Sequence, residues 1–178
     1  MSSRLDAGVE LLERSLGYTR TALARVGPTD LTRRTPCERW DLAALLAHMD
    51  DALDAFLEAA GGSVSVRPSG PGDATGLCTK ACTLLGVWSA TSPSTVEVGG
   101  VDLDTGLLVG TAALEITVHG WDVARALGLD HPIPGAFAAA LLPWAQLVSA
   151  QGGFAPPVPL AGDAPPDARL LAALGRRP

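Results

Sequence analysis

The chain holds only three imidazoles, His48, His119 and His131, so where they stand is informative. Glu115 lies four residues before His119, a spacing that puts both side chains on one face of a helix, one turn apart. A carboxylate and an imidazole so placed can grip one divalent cation, as paired ligands do in helical zinc sites. His48 follows Leu45 by three residues, on the apolar side of another helical stretch, and can supply a third donor. A plainer interpretation competes at each position. A histidine inside a helix is commonly a hydrogen-bonded core residue, and a Glu-x3-His pair is commonly a surface ion pair. Against this, Glu115 and Asp122 are charges inside an otherwise apolar segment, which is costly unless they are paired or metal-bound. Asp122 can orient a ligand from behind or pair with Arg125, and both alternatives stay open. His131, in Asp130-His131-Pro132 beyond the helix, is not expected to be a ligand.

The cysteines offer less. Cys37, Cys78 and Cys82 are too few, and odd in number, for a disulfide framework. Cys78 and Cys82 stand at helical spacing and are expected to be small apolar residues on a buried helix face, since metal-binding cysteine pairs favour tight C-x2-C turns. Cys37 has no neighbouring His or Lys in sequence to lower its pKa and is expected to be structural. Trp40 and Trp121 are expected to be packing anchors.

These residues need helices to position them. Leu5, Val9, Leu12, Leu16, Thr19, Leu23 and Val26 recur at steps of three and four, which predicts a long amphipathic helix over 5–26, stopped by Gly27-Pro28. Asp41 can cap a second helix running to about Ala60, ended by Gly61-Gly62. A Gly/Pro/Ser-rich loop covers 61–74, and a third helix is expected over 75–90. The alternation in TVEVGGVDLD predicts a short hairpin that must lean on the helices. A fourth helix is expected over 105–127 with Gly128 as its stop, and a fifth apolar segment follows Pro134 and reaches about Val148. The Pro-rich tail from Gly152 leaves little room for a core element and closes with a short amphipathic turn, ARLLAAL. The expectation is an all-α fold: one domain over 1–178, a four-helix bundle with a short β-hairpin and an extra C-terminal helical segment.

Composition narrows the function. The 178 residues include 13 Lys+Arg against 19 Asp+Glu, a net charge of −6, and the basic residues come in nothing tighter than the pairs Arg33–Arg34 and Arg176–Arg177. That argues against a nucleic-acid surface, which needs clustered cations. No apolar run reaches the roughly 20 residues of a membrane span. The N-terminus, MSSRLDAGVELLERS, lacks the apolar core of a secretory signal, so a cytoplasmic protein is expected.

Two stretches carry a family resemblance. Thr35-Pro36-Cys37-Glu38-Arg39-Trp40-Asp41, running into Leu45-Leu46-Ala47-His48-Met49, resembles the first motif of the metal-binding domain of mycothiol-dependent maleylpyruvate isomerases, within the DinB/YfiT-like superfamily. Glu115-x3-His119-Gly120-Trp121-Asp122-Val123-Ala124-Arg125-Ala126-Leu127-Gly128 resembles the second. Pro157-Val158-Pro159 and the stretch from Asp167 to Gly175 look like the ending of a short actinobacterial subgroup. The resemblance implies a DinB/YfiT-like bundle in which His48, Glu115 and His119 hold a divalent ion, zinc or another such as nickel. It implies mycothiol as cosubstrate, a small-molecule electrophile as the other partner, and a thiolate nucleophile. Arg39 and Arg125, beside the motifs, are the candidate cosubstrate-binding residues. The isomerases carry a further C-terminal domain with substrate-binding basic residues, for which this length leaves no room. A zinc-dependent thiol transferase is therefore expected rather than the isomerisation. A non-catalytic metal-dependent module and a metal-assisted hydrolase are the alternatives, and a homodimer stays open.

Overall fold

The computed structural model describes residues 2–37, 40–64, 74–90, 95–98, 100–150 and 154–177. Four long helices come first: α1 (Ser2–Leu23), α2 (Leu42–Ala60), α3 (Ala74–Ala90) and α4 (Thr105–Ala126). They are followed by α5 (Gly135–Ala150) and α6 (Pro166–Ala173). Helix α1 packs on α4 and α3, and α2 packs on α3 and α4, so the four close a ring around the core. Leu12, Leu42, Leu45, Leu46, Leu84 and Leu114 are fully buried there. Among the described residues no helix is long and apolar enough to cross a membrane.

The helix ends follow the residues that mark them. The Asp41 carboxylate accepts the Ala44 N–H at 2.9 Å and caps α2, as its position before the helix predicts. Asp104 does the same for α4 through Leu107 N–H at 2.9 Å. Gly128, at φ 73°, ends α4, and the Leu129 N–H returns to the Ala124 carbonyl at 2.9 Å. Helix α1 stops three residues earlier than its apolar stripe suggests. Arg25 and Val26 N–H groups bond to carbonyls three residues back, tightening the last turn before Gly27-Pro28.

The α1–α4 seam positions the functional face of α4. Thr19 Oγ1 donates to the Ile116 carbonyl at 2.7 Å, and Ser15 Oγ lies 2.8 Å from the Ala113 carbonyl. Gly120 permits this approach, because a Cβ there would collide with Thr19. Between α2 and α3, Lys80 Nζ neutralises Asp50 at 2.8 Å and Asp54 at 2.7 Å.

Three expectations are corrected. The hairpin β2 (Thr95–Val98) and β3 (Val101–Asp104) forms, with Thr95 opposite Asp104 and Val98 opposite Val101. A third strand, β1 (Ser63–Val64), joins it in parallel, so two residues of the expected loop are strand. Two residues are too short a run to show any alternation. The cysteine face is not buried: Cys78 is half-buried and Cys82 exposed, because their face of α3 borders a shallow apolar groove against α1. Finally, the tail does supply core. Leu170, Leu171 and Leu174 are 0–2% exposed, and the α6 helix packs on α5.

Candidate metal centre

The loop before α2 is tied down by Thr35. Its Oγ1 lies 2.8 Å from the Trp40 carbonyl and 3.0 Å from the Cys37 carbonyl, while the Trp40 N–H donates to Cys37 at 2.8 Å. This turn sets the Trp40 ring 4.5 Å from the His48 ring and 6.1 Å from that of His119. Trp40 is thus both a packing residue and a wall of the site.

His48 of α2 and Glu115 and His119 of α4 converge, each offering a donor atom within 4.8 Å of the others. Glu115 Oε2 is 3.1 Å from His119 Nε2 and 3.8 Å from His48 Nε2. The His48 nitrogen is too far for a hydrogen bond and the His119 nitrogen makes none, so Oε2 is a buried side-chain oxygen with no hydrogen-bond partner. Buried polar atoms of this kind call for an explanation. Nitrogens and oxygens about 2.1 Å from a tetrahedral zinc ion lie about 3.4 Å from each other, so spacings of 3.1 and 3.8 Å bracket what a shared cation requires. The donor set, two imidazoles and one carboxylate, fits zinc or nickel.

Behind His119 stands a second layer. Its Nδ1 is 3.1 Å from Asp122 Oδ2, and Asp122 is fully buried. The partner of Asp122 is Arg176, not Arg125: Arg176 Nε donates to Oδ1 at 3.2 Å and Nη2 to Oδ2 at 2.6 Å. With Nδ1–H given to the carboxylate, His119 Nε2 is left as the donor toward the cation.

Burial would raise the Glu115 carboxyl, but the His119 and His48 imidazoles beside it more than offset this and hold it at about 2. Burial would lower the His119 pKa, yet Asp122 and Glu115 reverse that and raise it above the ordinary value. Burial also works against ionised Asp122, and His119 and Arg176 overcome it, keeping the carboxylate below its usual range.

The centre opens into a pocket of about 590 Å³. Pro36, Cys37 and Trp40 line one side, and Phe154, Ala155, Pro156, Val158 and Gly175 to Arg177 line the other. Cys37 is half-buried there, in the wall rather than the core. Of the two arginines read from the motifs, Arg39 lies outside the described residues. Arg125 is exposed, its guanidinium 5.5 Å from the centre of the Trp121 ring, and is not among the pocket's lining residues. Among the described residues the basic groups lining the pocket are Arg176 and Arg177, which the sequence motifs do not point to. His131 stacks on Tyr18 with ring centres 4.2 Å apart, away from the centre, as its position beyond the helix suggests.

No family model matches the sequence, and no curated protein matches it. Among solved structures, the crystal structure of a mycothiol-dependent maleylpyruvate isomerase is similar, with a TM-score of 0.57 and 18% identity over 83% of this chain and 72% of that one. At that identity the likeness shows the fold: this chain takes the helical architecture of that isomerase, with His48, Glu115 and His119 gathered at one pocket.

Proposed function

We propose that the protein is a cytoplasmic, zinc-dependent, mycothiol-using S-transferase. One observation carries most of the weight: a buried, unpartnered Glu115 oxygen between two imidazole nitrogens, at the floor of an open pocket. His48, Glu115 and His119 are the three ligands, leaving a further position toward the pocket, the pattern of catalytic rather than structural sites. A divalent ion held by these residues would supply Lewis-acid activation of a thiol or water near neutral pH. The protein residues do the rest. Asp122 fixes the His119 ring, Glu115 would offset part of the cation's charge, and the Trp40 and Phe154 rings pack beside His48 and His119. Arg177 adds a positive charge at the pocket, which suits an acidic cosubstrate or electrophile, while the charge of Arg176 is spent on Asp122. The mycothiol dependence of the structural neighbour supports that thiol as the cosubstrate.

The test is cobalt substitution followed by titration with mycothiol. A sulfur-to-cobalt charge-transfer band in the near ultraviolet is expected, absent in His119→Ala. Full cobalt loading without that band at saturating thiol overturns the transferase assignment and leaves a metal-binding module or a hydrolase.

A further inference from the structure

Arg176 stands near the end of the chain, where a charged side chain ordinarily reaches into water, yet it is 3% exposed. Two of its nitrogens meet both oxygens of Asp122, and the third, Nη1, donates to the Leu174 carbonyl at 2.8 Å. Its guanidinium also lies 5.0 Å from the centre of the Phe154 ring, and that ring stacks against His119 at 5.8 Å. The strap formed by residues 154–177 therefore reaches His119 twice, directly through Phe154 and indirectly through Arg176 and Asp122. The strap is held as a unit. The Val158 N–H bonds to the Ala172 carbonyl at 2.8 Å, and Gly175, at φ 77°, turns the chain inward where any side chain would strike Ala155. The same strap supplies one wall of the pocket.

Building on the metal-site assignment, we infer that Arg176 is a positioning residue for His119, acting through Asp122, and that strap docking and metal binding are coupled. The two-pronged contact fixes the plane of the Asp122 carboxylate, as a guanidinium can and an ammonium cannot. A fixed carboxylate fixes the imidazole's orientation and its tautomer, and so the direction of Nε2. Coupling of this kind is reciprocal: what the strap does for the cation, the cation does for the strap. It follows that metal loading and the shape of the pocket wall are set together by a residue 54 positions from Asp122 in sequence.

Zinc is the probe, and amide hydrogen exchange and zinc affinity are the readouts. Zinc should slow exchange across residues 166–177 of the wild type, far from the ligands in sequence. Arg176→Lys keeps the charge but not the two-pronged contact and should weaken zinc binding about tenfold, the low end of the scale for groups that orient a metal ligand, while circular dichroism still reports the folded helices without metal. Removing the guanidinium alone strands the Asp122 charge in the interior. The paired variant Asp122→Asn/Arg176→Met removes both charges. It should fold, as read by circular dichroism, bind zinc comparably weakly and lose the zinc-dependent protection. Wild-type zinc affinity in both variants, or unchanged exchange in zinc-loaded wild type, overturns the coupling alone. Failure of the wild type to bind zinc overturns the metal-site assignment and the coupling with it.

Discussion

His119 and His131 stand twelve residues apart, and both are held by partners, but they are held for different ends. His131 stacks on Tyr18, its Nε2 lies 3.1 Å from the Tyr18 carbonyl, and the Tyr18 hydroxyl donates to the His131 carbonyl at 2.8 Å. Those partners are an aromatic face and the neutral backbone, which hold α1 to the chain beyond α4. His119 has a carboxylate at each nitrogen, Asp122 behind and Glu115 in front, and a pocket beside them. A histidine with one nitrogen committed to a carboxylate and the other beside a buried carboxylate oxygen that accepts no hydrogen bond is set up to share a cation with it, whereas one with its ring stacked and a nitrogen at a carbonyl is set up to hold two segments together.

The largest effect is expected at Asp122. Asp122→Ala should destabilise the metal-free protein by about 3–5 kcal/mol in urea unfolding, because it leaves the Arg176 charge buried without a partner. Arg125→Ala, on an exposed side chain, should move stability by less than about 0.5 kcal/mol. Equal losses in the two would mean that Asp122 is not the buried anchor described.

Glu115→Gln should keep the fold and weaken zinc at least tenfold, since the amide keeps the shape and loses the charge that balances the cation. Isothermal titration reads this directly, and unchanged affinity would mean that Glu115 is not a ligand.

Glu115 and His119 respond to pH in opposite senses. Glu115 is held at about 2, so its contribution to the metal-free fold is present above the usual carboxyl value and is lost as pH falls toward about 2. His119 is raised, so its contribution is complete below its ordinary value and is lost as pH rises through the shifted one. Metal-free stability should therefore decline on the alkaline side of about pH 6.5, and His119→Gln should flatten that decline. Zinc affinity should run the other way and rise with pH, because His119 must lose its proton to bind. Parallel slopes for stability and affinity would contradict the assignment.

The smallest effect belongs to His131. His131→Gln should cost about 1 kcal/mol of stability through the lost ring stack and leave zinc affinity at the wild-type value. A loss of zinc binding there would erase the distinction between the two histidines.

Much of this was legible in local sequence, and the remainder was not, for a physical reason. Glu115 and His119 share a helix face by spacing alone, Asp41 announces α2, and Gly128 announces the end of α4. Thr35, Pro36 and Trp40 mark a turn whose hydrogen bonds stay within six residues. Arg176 was missed because its partner lies 54 residues away, and nothing local distinguishes a buried terminal arginine from a solvated one. The signal available was Leu170, Leu171 and Leu174 just before it, an apolar stripe in a segment otherwise rich in proline and small residues. Arg125, three residues from Asp122, is the partner local spacing offers, but it leaves the helix on the exposed side, over Trp121.

The most direct test is a zinc titration of the wild type beside His48→Ala, His119→Ala and His131→Gln, read by calorimetry and by metal content after dialysis. One zinc per chain is expected in the wild type and in His131→Gln, with loss of the ion from both His48→Ala and His119→Ala. Full zinc retention by His48→Ala and His119→Ala would contradict the central claim that His48, Glu115 and His119 form the metal centre.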